Sequence, residues 1–399
     1  MIKHKRTLGG ALTLAAALGV TAAAPPGNAA AEATTSAATA GASSNAAAEE
    51  ARLRALLHRL TTVDGAPGAL VEVRDRRGST VLTDGVANVR SHAPVHRNSR
   101  FRIGSMTKTF TATAMLQLVG EHRVDLDARV ERYLPGIVRG HGNDGRAITV
   151  RQLLQHTSGL PDFLDYFNPL EVLNDPLAHR DPLDLVNIAL AHPPTFEPGA
   201  GWSYSNTGYL LAGMIIEKVT GNTYGEEIRR RIIEPLGLCE TSVPGDASSI
   251  PGPHPRGYVR PGEDAPLTDI TRINPSVGGA AGGMISSGTD VNRFLSALVR
   301  GELLHPAQLK EMMTTRPTGG SDGRAYGLGL ESKPLPSGGL YWGHTGDFLG
   351  YETAAGTTIN GRQATVMVNL GPGASDAQSD DIQAAVETAL SGARSPVAE

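Results

Sequence analysis

Leu53, Leu56, Leu57 and Leu60 recur at intervals of three and four, so residues 49–60 are expected to form an amphipathic helix. Residues 68–73 and 80–86 are rich in β-branched and apolar side chains, and Asp75-Arg-Arg-Gly78 between them predicts a hairpin. Over 104–120, apolar and small side chains surround the helical wheel on almost every side, with Gly104 supplying a turn in front. The pattern is then helical and loop-rich from about 121 to 275. It has expected helices at 148–155 (capped by Thr149), 181–191 and 208–219, the last apolar nearly all round.

Beyond 275, strand signals return at 280–286, 326–330, 341–345, 351–357 and 364–370, and Asn360-Gly361 marks a tight hairpin. Helices are expected at 290–300 and 376–390. Strands at both chain ends with helices between predict an α/β fold of the α+β type. Its antiparallel sheet is assembled from both termini, flanked by helices, and accompanied by a helical subdomain at about 121–275.

The first residues follow a different logic. Lys3, His4, Lys5 and Arg6 precede an apolar alanine-rich run at 8–24, and small-residue cleavage sites follow. This predicts a signal peptide over 1–31 and a secreted mature protein. The run is short, interrupted by glycine and followed by Pro25-Pro26, so no stable membrane span is expected. Residues 32–48 are Ala/Ser/Thr-rich without periodicity and read as a disordered linker, leaving 49–395 as the folded domain.

With 399 residues, 40% hydrophobic and 19% charged, and a net charge of −4, the chain has the composition of a globular protein with no polyanion-binding signature. Nucleic acid is therefore not an expected partner. A single cysteine, Cys239, in what reads as packed structure, excludes an internal disulfide. His92 and His96 have a metal-like spacing, but Pro94 breaks any helix there and no third ligand is apparent, so no metal is expected.

Chemistry enters at Ser105-Met-Thr-Lys108. On a helix, residues three apart are neighbours, which places a lysine beside a serine hydroxyl. A lysine in an apolar setting has a lowered pKa and can take the proton that makes serine nucleophilic. A phenol can share that proton, and Tyr-x-Asn occurs twice, as Tyr166-Phe-Asn168 and Tyr204-Ser-Asn206. The second sits in a Pro/Gly-rich loop leading into a buried helix, which makes it the expected partner. An amide at Asn206 can accept from Lys108 and donate to a substrate carbonyl. His344-Thr345-Gly346 closes a strand, where glycine lets a ligand approach the backbone. His156-Thr-Ser-Gly159 is similar but ends a helix.

The order Ser-x-x-Lys, Tyr-x-Asn, His-Thr-Gly resembles the penicillin-binding-protein and serine β-lactamase superfamily. The resemblance is to its class C-like branch, and within that to the secreted D-alanyl-D-alanine carboxypeptidases. It extends over about 50–390, through segments such as Tyr133-Leu-Pro-Gly136, Leu153-Leu-Gln-His-Thr-Ser-Gly-Leu-Pro161 and Tyr326-Gly-Leu-Gly-Leu330. No Gly-x-Ser-x-Gly elbow is present. The resemblance implies an acyl-enzyme at Ser105, with Lys108 and Tyr204 managing its proton and Asn206 orienting the substrate. His344, Thr345, Gly346 and Asp347 would bind substrate, the backbone N–H groups of Ser105 and Asp347 forming the oxyanion hole. It implies no metal or organic cofactor, a peptidoglycan stem peptide or other small peptide or ester as substrate, and β-lactams as covalent inhibitors.

Two positions depart from the carboxypeptidase pattern. An arginine and a hydroxyl residue that help hold the terminal carboxylate are replaced here by Glu331 and Asp347, with Arg324 and Lys333 as nearby substitutes. The expected activity is D-alanyl-D-alanine carboxypeptidase. The alternatives are an esterase, amidase or D-aminopeptidase using Asp347 or Glu331 to bind an amine, then a β-lactamase, and outside catalysis a penicillin- or peptidoglycan-binding protein.

Overall fold

A computed structural model describes residues 29–262, 265–373 and 375–392, so the signal peptide expected over 1–31 lies almost wholly outside the described residues. Nine strands form one antiparallel sheet. In chain order they are β1 (Gly68–Asp75), β2 (Gly78–Asn88), β3 (Ala93–Pro94), β4 (Arg316–Pro317), β5 (Ala325–Tyr326), β6 (Glu331–Pro334), β7 (Leu340–Phe348), β8 (Tyr351–Thr358) and β9 (Gln363–Val368). Their spatial order is β4-β5-β6-β7-β8-β9-β1-β2-β3, so the first and last long strands pair, Ala69 opposite Val368. The sheet is thus closed from both chain ends, as its strand pattern predicts.

Both faces of the sheet are covered. Ala69, Val71 and Val73 of β1 alternate towards α1 (Ala29–Thr62) and α5 (Asp376–Ser391), meeting Leu53, Leu57 and Leu60 from the first and Ile382 and Val386 from the second. Leu70 and Met367 point the other way, into the larger core. That core holds α2 (Thr107–Gly120), α3 (Asn206–Thr220) and α4 (Gly288–Val299). Phe110 of α2 and Phe294 of α4 stack with ring centroids 3.7 Å apart. Each such buried side chain stabilises the fold by about 1.5–3 kcal/mol. Residues between α2 and α4 also supply the shorter helices Val150–Leu154, with the expected Thr149 cap in a capping box, and Pro182–Leu190.

Three expectations are corrected. Helix α1 runs through residues 32–48, where a disordered linker is expected; that stretch is alanine-rich and free of proline, and alanine is the best helix former. Gly327-Leu-Gly-Leu330 is a bend between β5 and β6 rather than a strand. Gly329 has φ +74°, and a Cβ there would stand 2.5 Å from that of Ala112, so the bend is held tightly against α2. The glycine-rich stretch expected as a strand at 280–286 instead opens with a short helix, Gly279–Gly282, before the strand Ile285–Ser287. Cys239 is exposed. Among the described residues, no helix is long and apolar enough to cross a membrane, and no group of His, Cys, Asp and Glu is arranged to hold a metal ion.

Candidate active site

Ser105 lies in a 3-10 turn, Gly104–Met106, that leads directly into α2. Its hydroxyl is half-buried, and Lys108 one turn on is completely enclosed, at 0% exposure. Lys108 Nζ donates to Ser105 Oγ at 3.0 Å, to Asn206 Oδ1 at 2.7 Å and to the Ala281 carbonyl at 2.9 Å. All three ammonium protons are thus directed. Burial pushes the Lys108 amine down to about 7, against the opposing pull of the Asp162, Asp347 and Glu331 carboxylates. A free amine is therefore accessible near neutral pH, at hydrogen-bond distance from a serine hydroxyl.

Asn206 opens α3, and its amide orientation is fixed by its partners. Oδ1 accepts from Lys108, and Nδ2 donates to Asp162 Oδ2 at 2.7 Å. Tyr204 stands just before it and lines the cleft beside Ser105. Lys108 Nζ lies 4.7 Å from the Tyr204 ring centre. Burial raises the Tyr204 phenol well above its ordinary value, the Ser105 contact opposing it. Tyr166, the competing position, is 47% exposed and stacks on His192 at 3.5 Å, away from the serine.

Behind Tyr204 sits His156, whose role the sequence pattern does not reveal. Its carbonyl accepts from Ser203 N–H at 3.0 Å and its Nδ1 from Ser205 N–H at 3.1 Å, so one residue grips the chain on both sides of Tyr204. Its ring packs on Tyr204 with centroids 4.3 Å apart. The Ala281 carbonyl on Lys108 was equally hidden, since 173 residues separate the pair.

The strand carrying His344-Thr-Gly346 is β7, and its geometry explains the cleft. β6 pairs with β7 only as far as Glu331 opposite Gly343. From His344 onward no strand among the described residues lies along that edge of β7, and the Ser105 turn takes that place. Two glycines permit the contact: a Cβ at Gly346 would stand 2.0 Å from the Ile103 carbonyl oxygen, and one at Gly104, which has φ +49°, 2.4 Å from that of Asp347. The amides of Ser105 and Asp347 are thereby carried on adjoining segments. Gly104→Ala would force backbone against backbone and an unfavourable φ; we expect a destabilisation above about 2 kcal/mol in denaturant midpoint, together with loss of activity.

Of the residues expected to bind substrate, Thr345 and Asp347 line the cleft, whereas His344 lies one layer behind it, 3% exposed. His344 Nδ1–H donates to the Thr345 carbonyl at 2.5 Å, which leaves Nε2 to accept from Tyr326 O–H at 2.9 Å. Burial, and then the Lys108 cation, push its imidazole down to about 3, so it is neutral. It braces the strand and offers no positive charge to a substrate.

Two pockets meet at Ser105, Tyr204 and Asp347, which line both. One, of about 320 Å³, is walled by Phe163, Leu164, Phe167, Val172, Phe348 and Leu349. The other, of about 400 Å³, is more polar and is lined by Trp202, Thr318, Arg324, Glu331 and Thr345. Burial pushes the Glu331 carboxyl up to about 7, opposed by Arg324 and Lys333. The Asp347 carboxyl is also raised, by desolvation and then by Glu352, although the residue as a whole is exposed. Arg324 is shared between Glu331 at 3.8 Å and Asp322 at 3.4 Å. Lys333 lines neither pocket and pairs with Asp322 at 3.5 Å and Glu387 at 3.4 Å.

Comparison with known proteins gives this geometry a context. A sequence model of the family described as Beta-lactamase matches residues 53–389. Penicillin-binding protein 4* of Bacillus subtilis (strain 168) is 29% identical over 296 residues, 71% of this chain and 64% of the relative. Penicillin-binding protein 4 of Amycolatopsis lactamdurans is 30% identical over 59% of this chain and 60% of its own length. The chain thus spans under two thirds of these curated relatives. Among solved structures, a D-stereospecific amidohydrolase from Streptomyces sp. is 41% identical, with TM-score 0.78, over 85% of this chain and 98% of that one. A D-amino acid amidase from Ochrobactrum anthropi SV3 is 29% identical, with TM-score 0.74, over 86% and 97%.

Proposed function

The chain belongs to the beta-lactamase family and is a serine hydrolase, and from that premise we propose that it hydrolyses amides of D-amino acids whose α-ammonium is free. The observation that carries this reading is the charge beside Ser105. Asp347 and Glu331 both line the cleft, and the one arginine among its lining residues, Arg324, is held by Glu331 and Asp322. A substrate ammonium favours the ionised form of these raised carboxyls and is held by it, whereas a C-terminal carboxylate meets no unpaired cation there. The carboxypeptidase expected from the sequence would need a free cation at this place. Among the described residues lining the two pockets there is none. The D configuration is carried over from the Streptomyces and Ochrobactrum enzymes.

In this reading the α-ammonium sits at Asp347, and the side chain enters the apolar pocket of Phe163, Phe167 and Phe348. Ser105 Oγ attacks the carbonyl carbon while its proton passes to the Lys108 amine, the Tyr204 phenol staying protonated. The N–H groups of Ser105 and Asp347 receive the oxyanion, each donor contributing about 2.7–4 kcal/mol to the barrier. The Tyr204 phenol gives its proton to the leaving amine and is reprotonated by the Lys108 ammonium, and water then releases the acid from Ser105. β-Lactams, as strained amides, would acylate the same oxygen. The leader expected over residues 1–31 supports action outside the cytoplasm.

The test compares D-phenylalanine amide, its N-acetyl derivative, and an N-acylated L-Lys-D-Ala-D-Ala peptide, each with Ser105→Ala as control. The free amine should be hydrolysed at least about tenfold faster than the N-acetyl form, and Asp347→Asn should erase most of that preference by raising KM. Release of D-alanine from the peptide with no cleavage of the free amine would overturn the assignment in favour of the carboxypeptidase.

A further inference from the structure

Behind the serine and lysine runs a line of hydrogen bonds that ends on a carboxylate. Ser105 Oγ accepts from Lys108 at 3.0 Å, Asn206 Oδ1 accepts from Lys108 at 2.7 Å, and Asp162 Oδ2 accepts from Asn206 Nδ2 at 2.7 Å. The roles along this line are forced, because an ammonium only donates and a carboxylate only accepts. Among the described residues Asp162 is in no ion pair, and burial raises its carboxyl. It lines neither pocket, so substrate does not touch it.

Its second oxygen has a different duty. Asp162 Oδ1 accepts from Leu164 N–H at 3.1 Å and caps the turn Phe163–Asp165. Thr207 Oγ1 accepts from Phe163 N–H at 3.0 Å and donates to the Pro161 carbonyl at 2.7 Å, so the segment is stitched to the start of α3. That turn supplies Phe163 and Leu164 to the apolar pocket. One carboxylate therefore touches both the amide that aligns Lys108 and the wall that would receive a substrate side chain.

We propose that Asp162 is a positioning residue for the serine chemistry: it holds Asn206 so that the amide oxygen keeps Lys108 against Ser105, and it ties this alignment to the apolar wall. The inference rests on Ser105 being the acylated residue. A carboxylate one side chain beyond an enclosed amine also favours that amine's protonated form. The other groups facing Lys108 are the Asp347 and Glu331 carboxylates from β7 and β6, the Tyr204 and Tyr209 rings, the neutral imidazoles of His156 and His344, and the Ala281 carbonyl. Asp347 and Glu331 face the cleft; Asp162 acts from behind.

The experiment is the pH profile of kcat/KM for p-nitrophenyl acetate, a small activated ester that reports Ser105 acylation without needing an ammonium in the substrate. Full-length wild type, Asp162→Asn and Asp162→Ser are compared, with Ser105→Ala as blank. Serine can still cap Leu164 but is too short to reach Asn206, so the second variant keeps the turn capped and guards against misfolding of the first. Both variants should lose roughly tenfold or more in rate at the plateau, and their acid limb should move to lower pH by about half a unit or more, because the charge that favours the protonated amine is gone. If both keep the wild-type limb, whatever their loss of rate, Asp162 serves packing alone and the proposal is overturned. If the ester is cleaved equally by Ser105→Ala, the nucleophile assignment fails, and this proposal with it.

Discussion

Ser105→Ala should lower kcat by about a millionfold on any substrate the protein turns over, with the fold intact. The hydroxyl is half-buried in a turn and carries a single ammonium hydrogen bond, whereas Lys108 keeps its bonds to Asn206 and Ala281 when the oxygen is removed. Losing one such bond changes stability by about 1 kcal/mol, so the melting midpoint should move little. Intact mass after exposure to an acylating β-lactam or activated ester should show one adduct on the wild type and none on the variant. Residual turnover above a hundredth of wild type would remove Ser105 from the nucleophile's role. Because the effect is carried by one oxygen, it also separates a hydrolase from a protein that merely binds penicillin.

What could be read from the chain alone follows from how far each contact reaches along it. Ser105 and Lys108 are one helical turn apart, so residue spacing suffices to pair them. Tyr204 could be preferred over Tyr166 because its loop feeds a buried helix, and burial of α3 is a property of local composition. The hairpin strands, α2, α4 and the closing helix are likewise local patterns and were legible to within a few residues. Asp162, His156 and the Ala281 carbonyl were not. They meet the site across 44, 49 and 173 positions respectively, and although His156-Thr-Ser-Gly159 stands out as a motif, nothing local places its ring behind Tyr204.

His344 shows a subtler limit. Its position beside the cleft strand is apparent from the motif, yet alternation along β7 sends its side chain away from the space that Thr345 lines. The bend at Gly327-Leu328-Gly329-Leu330 has the same character, since two leucines flanking glycine resemble a strand until α2 is packed against them. The acids at 331 and 347 were visible as departures from a pattern. Whether a cation answered them depended on side-chain pairing of Arg324 and Lys333, which only the folded chain displays.

Lys108→Met should slow acylation by about 10²–10⁴-fold, the usual worth of a positioned proton acceptor, and should also leave a trace in stability that no surface lysine could. Methionine fills similar space without charge, so the packing around α2 survives. In the wild type, burial lowers the Lys108 amine from 10.5 to about 7. Between those values the unfolded chain holds a proton that the folded chain has released, and stability therefore climbs as pH rises, by up to about 1.4 kcal/mol per unit. Below about 7 both states are protonated and the burial penalty is fully present; above 10.5 both are neutral and it is gone. Methionine has no such dependence, although it strips the Asn206 oxygen and the Ala281 carbonyl of a donor, at about 1–3 kcal/mol each. Urea midpoints of the two proteins at pH 7 and pH 9 isolate the effect, because every other titrating group is common to both. The wild type should gain on the variant by roughly 2 kcal/mol between those pH values. A constant difference would mean that Lys108 remains an ordinary ammonium in the folded protein and is not the acceptor of the Ser105 proton.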